Sequence, residues 1–224
     1  MKKQLIVICL ATFWVSQAFA VDLKTDRQRF SYMVGMQIGQ QLMRDNVDLD
    51  EAAFMAAIKD VRSNAKPRLS KQEMQETLQH IQKQRQDEER KVGEKNRIEG
   101  EKFLTANKEK PGVKVMPSGL QYKVITAGTG PKPKPTDTVE VDYRGTLIDG
   151  KEFDSSYKRG KPATFPINGV IKGWQEALQA MKVGAKWQIF VPAKLAYGSH
   201  GAGPLIGPNA TLIFEVELHK IITK

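Results

Sequence analysis

Six of the ten aromatic residues in the C-terminal half of this 224-residue chain form a set: Tyr143, Phe153, Phe165, Trp174, Tyr197 and Phe214, with Asp154 beside the second of them. Any one of them read alone is core packing, the usual fate of an aromatic in an alternating strand; taken together, the set can line an apolar hollow. Asp154 is the one charge in the set, and in a hollow of low dielectric it needs partners. The Tyr143 hydroxyl and the Arg159 guanidinium are available.

Other chemistry finds little support. His80, His200 and His219 show no ligand spacing with one another, so a metal site is not expected. Ser155 and Ser156 lie outside any triad context, and a hydroxyl near a carboxylate is not a nucleophile by itself. There is no phosphate-cradling glycine-lysine motif, so no cofactor is expected. The single cysteine, Cys9, falls in the extreme N-terminal stretch, which excludes disulfide and thiol chemistry from the rest of the chain. No finger or aromatic RNA-binding stretch accompanies the formal charge of +10, and no nucleic-acid partner is expected.

The elements that must position the aromatics begin late in the chain. Residues 1–20 read as a secretory signal: Lys2 and Lys3, an apolar run from Leu5 to Val15, then Ala18-Phe19-Ala20 as a small-x-small cleavage site. That run is too short for a bilayer-spanning helix of about 20 residues. Residues 21–69 read as a helical domain. One helix covers 25–45, with Thr25 as N-cap and Phe30, Met33, Val34, Ile38, Leu42 and Met43 at three- and four-residue spacing. Gly35 and Gly39 sit on one side of it, where close approach of another backbone would explain them; a second copy and a neighbouring segment of the same chain are equally open. A second helix runs from Asp50 to about Ser63. Two helices this small carry more apolar surface than a monomer can bury, so association with a second copy is expected.

Residues 70–110 read as one long helix. Ser70 and Glu73 form a capping box, and no proline follows until Pro111. Beyond Ile81 the apolar stripe gives way to charge, which predicts a solvated stalk held by pairs such as Glu94 with Arg97 or Glu99 with Lys102, with Gly93 and Gly100 as weak points where it bends. After Pro111-Gly112 the period changes to two. Val139, Val141 and Tyr143 alternate with polar residues, as do Trp187, Ile189 and Val191, and Leu212, Phe214, Val216 and Leu218. These are half-buried antiparallel strands. Asp149-Gly150 marks a tight turn, Gly173 to Met181 a short helix, and Gly198 to Pro208 a loop. The expected class is α+β, with 111–224 as a compact sheet over one short helix. Of the charge, 21–110 carries 18 basic and 16 acidic side chains and 111–224 carries 15 and 9, so the excess lies on the C-terminal domain.

The aromatics sit in recognisable contexts: Val141-Asp142-Tyr143-Arg144-Gly145, Phe153-Asp154-Ser155-Ser156, Val170-Ile171-Lys172-Gly173-Trp174, Ala196-Tyr197-Gly198 and Ile213-Phe214-Glu215-Val216. In that order, over about 113–221, they resemble the FK506-binding type of peptidyl-prolyl isomerase. The paired helices, the long polar helix and the junction from Pro111 to Tyr122 resemble the macrophage infectivity potentiator branch of that family. The resemblance implies a cofactor-free enzyme that speeds rotation about Xaa-Pro bonds in exported or surface proteins. It implies a homodimer through residues 21–69, macrolides of the FK506 class as ligands, and a place in the periplasm or at the outer surface of a Gram-negative bacterium; the long solvated helix and the apolar N-terminal helices add a competing expectation, chaperone activity in the cleft between two arms. Trp174 would form the floor for the proline ring. Tyr143, Phe153, Phe165, Val170, Ile171 and Phe214 would form the walls. The Ile171 N–H and the Tyr197 hydroxyl would donate to substrate carbonyls. Asp154, held by Arg159, would polarise the imide, and Ile206 would close one side. Two rim positions depart from many small relatives: Ala163 stands where they have an aromatic, and Ala202 aligns with a histidine.

Overall fold

The computed structural model describes residues 22–45 and 47–222. The proposed signal segment, with Cys9, lies outside the described residues. The chain divides into two compact units, Met1–Leu49 and Asp50–Lys224. In the first, α1 (Asp26–Arg44) begins at a capping box: the Gln28 N–H donates to Thr25 Oγ1 and the Thr25 N–H donates to Gln28 Oε1. Its apolar side is bare, with Phe30 67% and Met33 57% exposed. A Cβ added at Gly35 or Gly39 would meet no heavy atom within 4 Å among the described residues.

The second unit opens with α2 (Glu51–Arg62), capped by the Asp50 carboxylate on the Ala53 N–H. Then α3 (Lys71–Asn107) starts at the Ser70–Glu73 capping box. The rest is one antiparallel sheet: β1 (Val113–Val115), β2 (Gln121–Thr126), β3 (Thr138–Leu147), β4 (Glu152–Ser155), β5 (Ala163–Pro166), β6 (Lys186–Val191) and β7 (Leu212–Ile222), with α4 (Lys172–Ala180) before β6. The order is β1-β2-β6-β7-β3-β4, and β5 pairs with β3. The outermost strands are brief: β1 has three residues around Lys114, β4 has four, and β5 ends at Pro166. The turn from β3 to β4 needs positive φ, and Gly150 at +87° supplies it.

Alternation places the core as the period demands. Val139, Val141, Ile189, Leu212, Val216 and Leu218 are fully buried on the face that α4 covers with Trp174, Ala177 and Leu178. Each such side chain contributes about 1.5–3 kcal/mol of transfer free energy.

The solvated-stalk reading of α3 holds only for its first part and is corrected for the rest. Gly93, Gly100 and Asn107 are buried. The two glycines are contact points, not bends: a Cβ on Gly93 would lie 3.1 Å from Pro208 Cβ, and one on Gly100 would lie 2.4 Å from Thr211 Oγ1. Phe103 packs on Phe190 at 5.9 Å, which explains why Phe190 is buried although it falls in the polar phase of β6. At the helix end Asn107 Nδ2 donates to Gln121 Oε1, and Gln121 Nε2 donates to the Leu104 carbonyl. Among the expected ion pairs, Glu94 meets Arg97, but Glu99 faces Lys95 and not Lys102. No helix of the described residues is long and apolar enough to cross a membrane.

Candidate active site

An open cavity of about 520 Å³ lies between α4, β3, β4, β5, β7 and the loop residues Tyr197 and 202–206. Its lining includes ten of the eleven residues singled out from the sequence: Tyr143, Phe153, Asp154, Phe165, Val170, Ile171, Trp174, Tyr197, Ile206 and Phe214. Arg159 stands behind them, bound to two of the lining residues. Gly169 and the loop tip Gly203-Pro204-Leu205 also line the cavity and were missed. They carry no titrating or aromatic group, so only the glycine-proline content of the loop hinted at them. Ala202 lines the cavity as well, whereas Ala163 and His200 are not on its surface.

The first turn of α4 positions the floor. Trp174, 4% exposed, meets Tyr143, Phe165 and Phe214 edge to face, at ring separations of 5.2, 5.9 and 5.3 Å. Phe153 stands edge-on to Phe214 at 5.5 Å. Such pairs are worth about 0.5–1.5 kcal/mol each beyond their burial, so the rings hold one another in place. Gly145, on β3 opposite Phe214, makes the closure feasible: a Cβ there would lie 2.6 Å from the Phe153 ring and 2.9 Å from the Phe214 ring. Val170 and Ile171 run extended into α4, with the Val170 carbonyl accepting from Gln175 Nε2. No acceptor for the Ile171 N–H, or for the buried Trp174 indole N–H, is found among the described residues.

Asp154 is the centre of the polar side. The Tyr143 hydroxyl donates to Asp154 Oδ2, Arg159 Nη1 donates to Oδ1, and Arg159 Nη2 donates to the Tyr143 oxygen at 2.8 Å. Burial works to raise the Asp154 pKa, but Tyr143 and Arg159 outweigh it and hold the carboxyl below its ordinary value. Burial first, and then the Asp154 carboxylate, push the Tyr143 phenol up to about 12. Both groups therefore keep one protonation state throughout the neutral range: Asp154 charged, Tyr143 neutral.

Ser156 serves as a clasp between strands. Its hydroxyl donates to Asp142 Oδ1 at 2.6 Å and accepts from the Tyr143 N–H at 2.9 Å, while His219 Nε2 lies 2.8 Å from Asp142 Oδ2. These contacts clasp β3, β7 and the turn that carries Arg159, behind the cavity. Among the described residues no group of three His, Cys, Asp or Glu side chains could hold a metal ion.

The site is an apolar floor of interlocked rings with one carboxylate tied to Tyr143 and Arg159. It can desolvate and orient a bound chain. The comparisons with known proteins agree with that chemistry. Residues 130–219 match the family described as FKBP-type peptidyl-prolyl cis-trans isomerase, and residues 27–124 match the domain amino terminal to it. The chain is 45% identical to "Outer membrane protein MIP" of Legionella longbeachae over 97% of each chain. It is 46% identical to "Peptidyl-prolyl cis-trans isomerase Mip" of Coxiella burnetii, over 92% of this chain and 91% of that one. The crystal structure of FkpA from Escherichia coli superposes with a TM-score of 0.62 at 38% identity, covering 88% of this chain and 97% of that one. With a fold, a cavity and a near full-length likeness that agree, the chain belongs to the FKBP-type peptidyl-prolyl cis-trans isomerases.

Proposed function

We propose that the ring-lined cavity is where this isomerase works, and that it works by differential solvation. Rotation about an Xaa-Pro bond is opposed by amide resonance, with an uncatalysed barrier of about 18–20 kcal/mol. The planar bond is polar, with partial charge on oxygen and nitrogen. The twisted state has lost that polarity. Water therefore favours the planar form, and an apolar cavity removes the advantage while holding the proline in a twist-ready pose. Trp174 supports the pyrrolidine ring; Tyr143, Phe153, Phe165, Val170, Ile171 and Phe214 enclose it. The Ile171 N–H and the Tyr197 hydroxyl take substrate carbonyls. Asp154, held by Tyr143 and Arg159, supplies a fixed negative charge at the imide. The observation that carries this reading is the set of three edge-to-face contacts that centre the cavity on Trp174. The test is cis-trans exchange in a proline peptide with and without an FK506-class macrolide. Catalysis that the macrolide leaves untouched places the reaction elsewhere.

Gly145 gives an independent handle. Gly145→Ala drives a methyl group into the Phe153 and Phe214 rings. Overpacking of this kind costs about 1–3 kcal/mol. A shift of the walls is expected to lower kcat/KM about tenfold. Peptide exchange and thermal melting measure the two effects, and an unchanged kcat/KM argues that the two rings do not shape the reacting pocket.

The bare side of α1 supports a second part of the proposal: residues 21–69 pair with another copy of the chain, and the dimer holds unfolded chains as a chaperone does. Phe30 and Met33 in open water are a cost that pairing removes. Light scattering on residues 21–224 is expected to give twice the chain mass, and a monomer overturns the pairing. With the signal-like N-terminus and the Legionella relative's name, we place the protein in the envelope of a Gram-negative bacterium.

A further inference from the structure

We propose that α3 tunes the active site, with Asn96 as a positioning residue that sets the rim loop 202–208 and through it the side chains the cavity accepts beside proline. The inference rests on the assignment of the cavity as the reacting site.

The loop is clasped to the helix by two side-chain amides. Asn96 Nδ2 donates to the Pro208 carbonyl at 2.8 Å, and Asn209 Nδ2 donates to the Gly93 carbonyl at 3.2 Å. Glycines let the two backbones approach from both sides. A Cβ on Gly93 would crowd Pro208 and Asn209, and a Cβ on Gly207 would lie 3.1 Å from Asn96 Nδ2 and 3.2 Å from Val92 Cγ1. Asn209 itself adopts a positive φ of 56°, and its N–H closes the loop on the Gly198 carbonyl at 2.8 Å. A non-glycine residue in that conformation persists where its surroundings impose it.

The clasped segment is the wall of the cavity. Ala202 and Ile206 exchange two backbone hydrogen bonds, of 2.7 and 3.2 Å, and hold Gly203-Pro204-Leu205 as a tip between them. Pro204 and Leu205 face two spaces at once: the ring-lined cavity and a second hollow of about 310 Å³ bounded by Val92, Lys95, Asn96 and Glu99 of α3 and by the β3–β4 turn. The loop is thus a thin partition, with substrate on one side and α3 on the other. How far Ile206 and Leu205 reach into the cavity is set by where α3 holds Pro208. A site whose walls are loop residues depends on the shell behind them, and small displacements there are felt in binding.

The test uses the full mature chain. Asn96→Asp keeps the side-chain shape but turns an oxygen toward the Pro208 carbonyl in place of the donor. Gly93→Ala makes α3 a better helix former while pushing Pro208 away. Both variants, with Trp174→Leu as control, are assayed on a series of Xaa-Pro peptides running from small to bulky Xaa. The expected result is a rise in KM of about tenfold, unequal across the series, with kcat nearly unchanged. A merely structural docking of the helix shifts melting temperature but leaves the ratio of KM values between peptides untouched. That outcome in both variants overturns the inference. If Trp174→Leu also retains its full rate, the assignment of the cavity fails first; if Trp174→Leu is crippled, only the role of α3 is lost.

Discussion

Trp174→Leu is expected to lower kcat/KM for a proline peptide about a hundredfold, the loss typical of a misplaced reacting group. Leucine keeps the site apolar, so the change does not wet the cavity. What it removes is the flat floor and the three edge-to-face contacts to Tyr143, Phe165 and Phe214. The walls then lose the surface that fixes their angles, and a bound pyrrolidine loses its support. The stability cost should stay below the about 3–5 kcal/mol of a truncation to alanine. Circular dichroism and melting establish that the variant is folded, and single-turnover peptide exchange gives the rate. A folded Trp174→Leu protein with undiminished kcat/KM would end the case for this floor.

The second large effect is expected at Asp154. In Asp154→Ala the hydroxyl of the buried Tyr143 loses its acceptor and Arg159 its carboxylate. An unmet polar group of this kind costs about 1–3 kcal/mol. If that cost falls on the bound twisted state, it is about tenfold to a hundredfold in rate. Asp154→Asn separates charge from shape: it retains an acceptor for Tyr143 but no negative charge. A rate near that of Asp154→Ala assigns the effect to charge, and a rate near the parent assigns it to the hydrogen bonds. A full rate in Asp154→Ala removes Asp154 from the site.

The same residue sets the pH dependence. Its folded pKa lies below the ordinary 3.8, so its contribution to stability is fully present above that value and is lost as pH falls through the lower folded one. Tyr143 runs the other way: its contribution is complete below the ordinary 10.0 and is lost as pH rises through about 12. Asp154 and Tyr143 therefore leave the rate flat across the neutral range.

Much of this architecture was legible in the residue order, and for identifiable reasons. Thr25, Asp50 and Ser70 announce helix starts because caps act within three residues of themselves. The strands that carry Tyr143 and Phe214 announce themselves by alternation, a property of the strand alone. What the order concealed is contact at long range. Gly93 and Gly100 look like defects in a polar helix until Pro208 and Thr211, more than a hundred positions later, come to rest on them. Phe190 lies in the polar phase of its strand, and Phe103, far back in the chain, packs on it. The loop tip at Gly203-Pro204-Leu205 lines the cavity through its placement and carries no chemical mark of its own. Ser156 was easy to set aside as a nucleophile, but its buried clasp on Asp142 and Tyr143 could not be read without the turn that brings it there.

The short outer strands of the sheet bear on what an isomerase must survive. An extended polypeptide with unpaired amides is the species that adds itself to any open ladder. Three residues around Lys114 at one margin, and a segment ending in Pro166 at the other, offer such a chain too few hydrogen bonds to nucleate on. With the hollow as the proposed reacting site, a chain that turns about its proline there leaves without being knitted into its own helper.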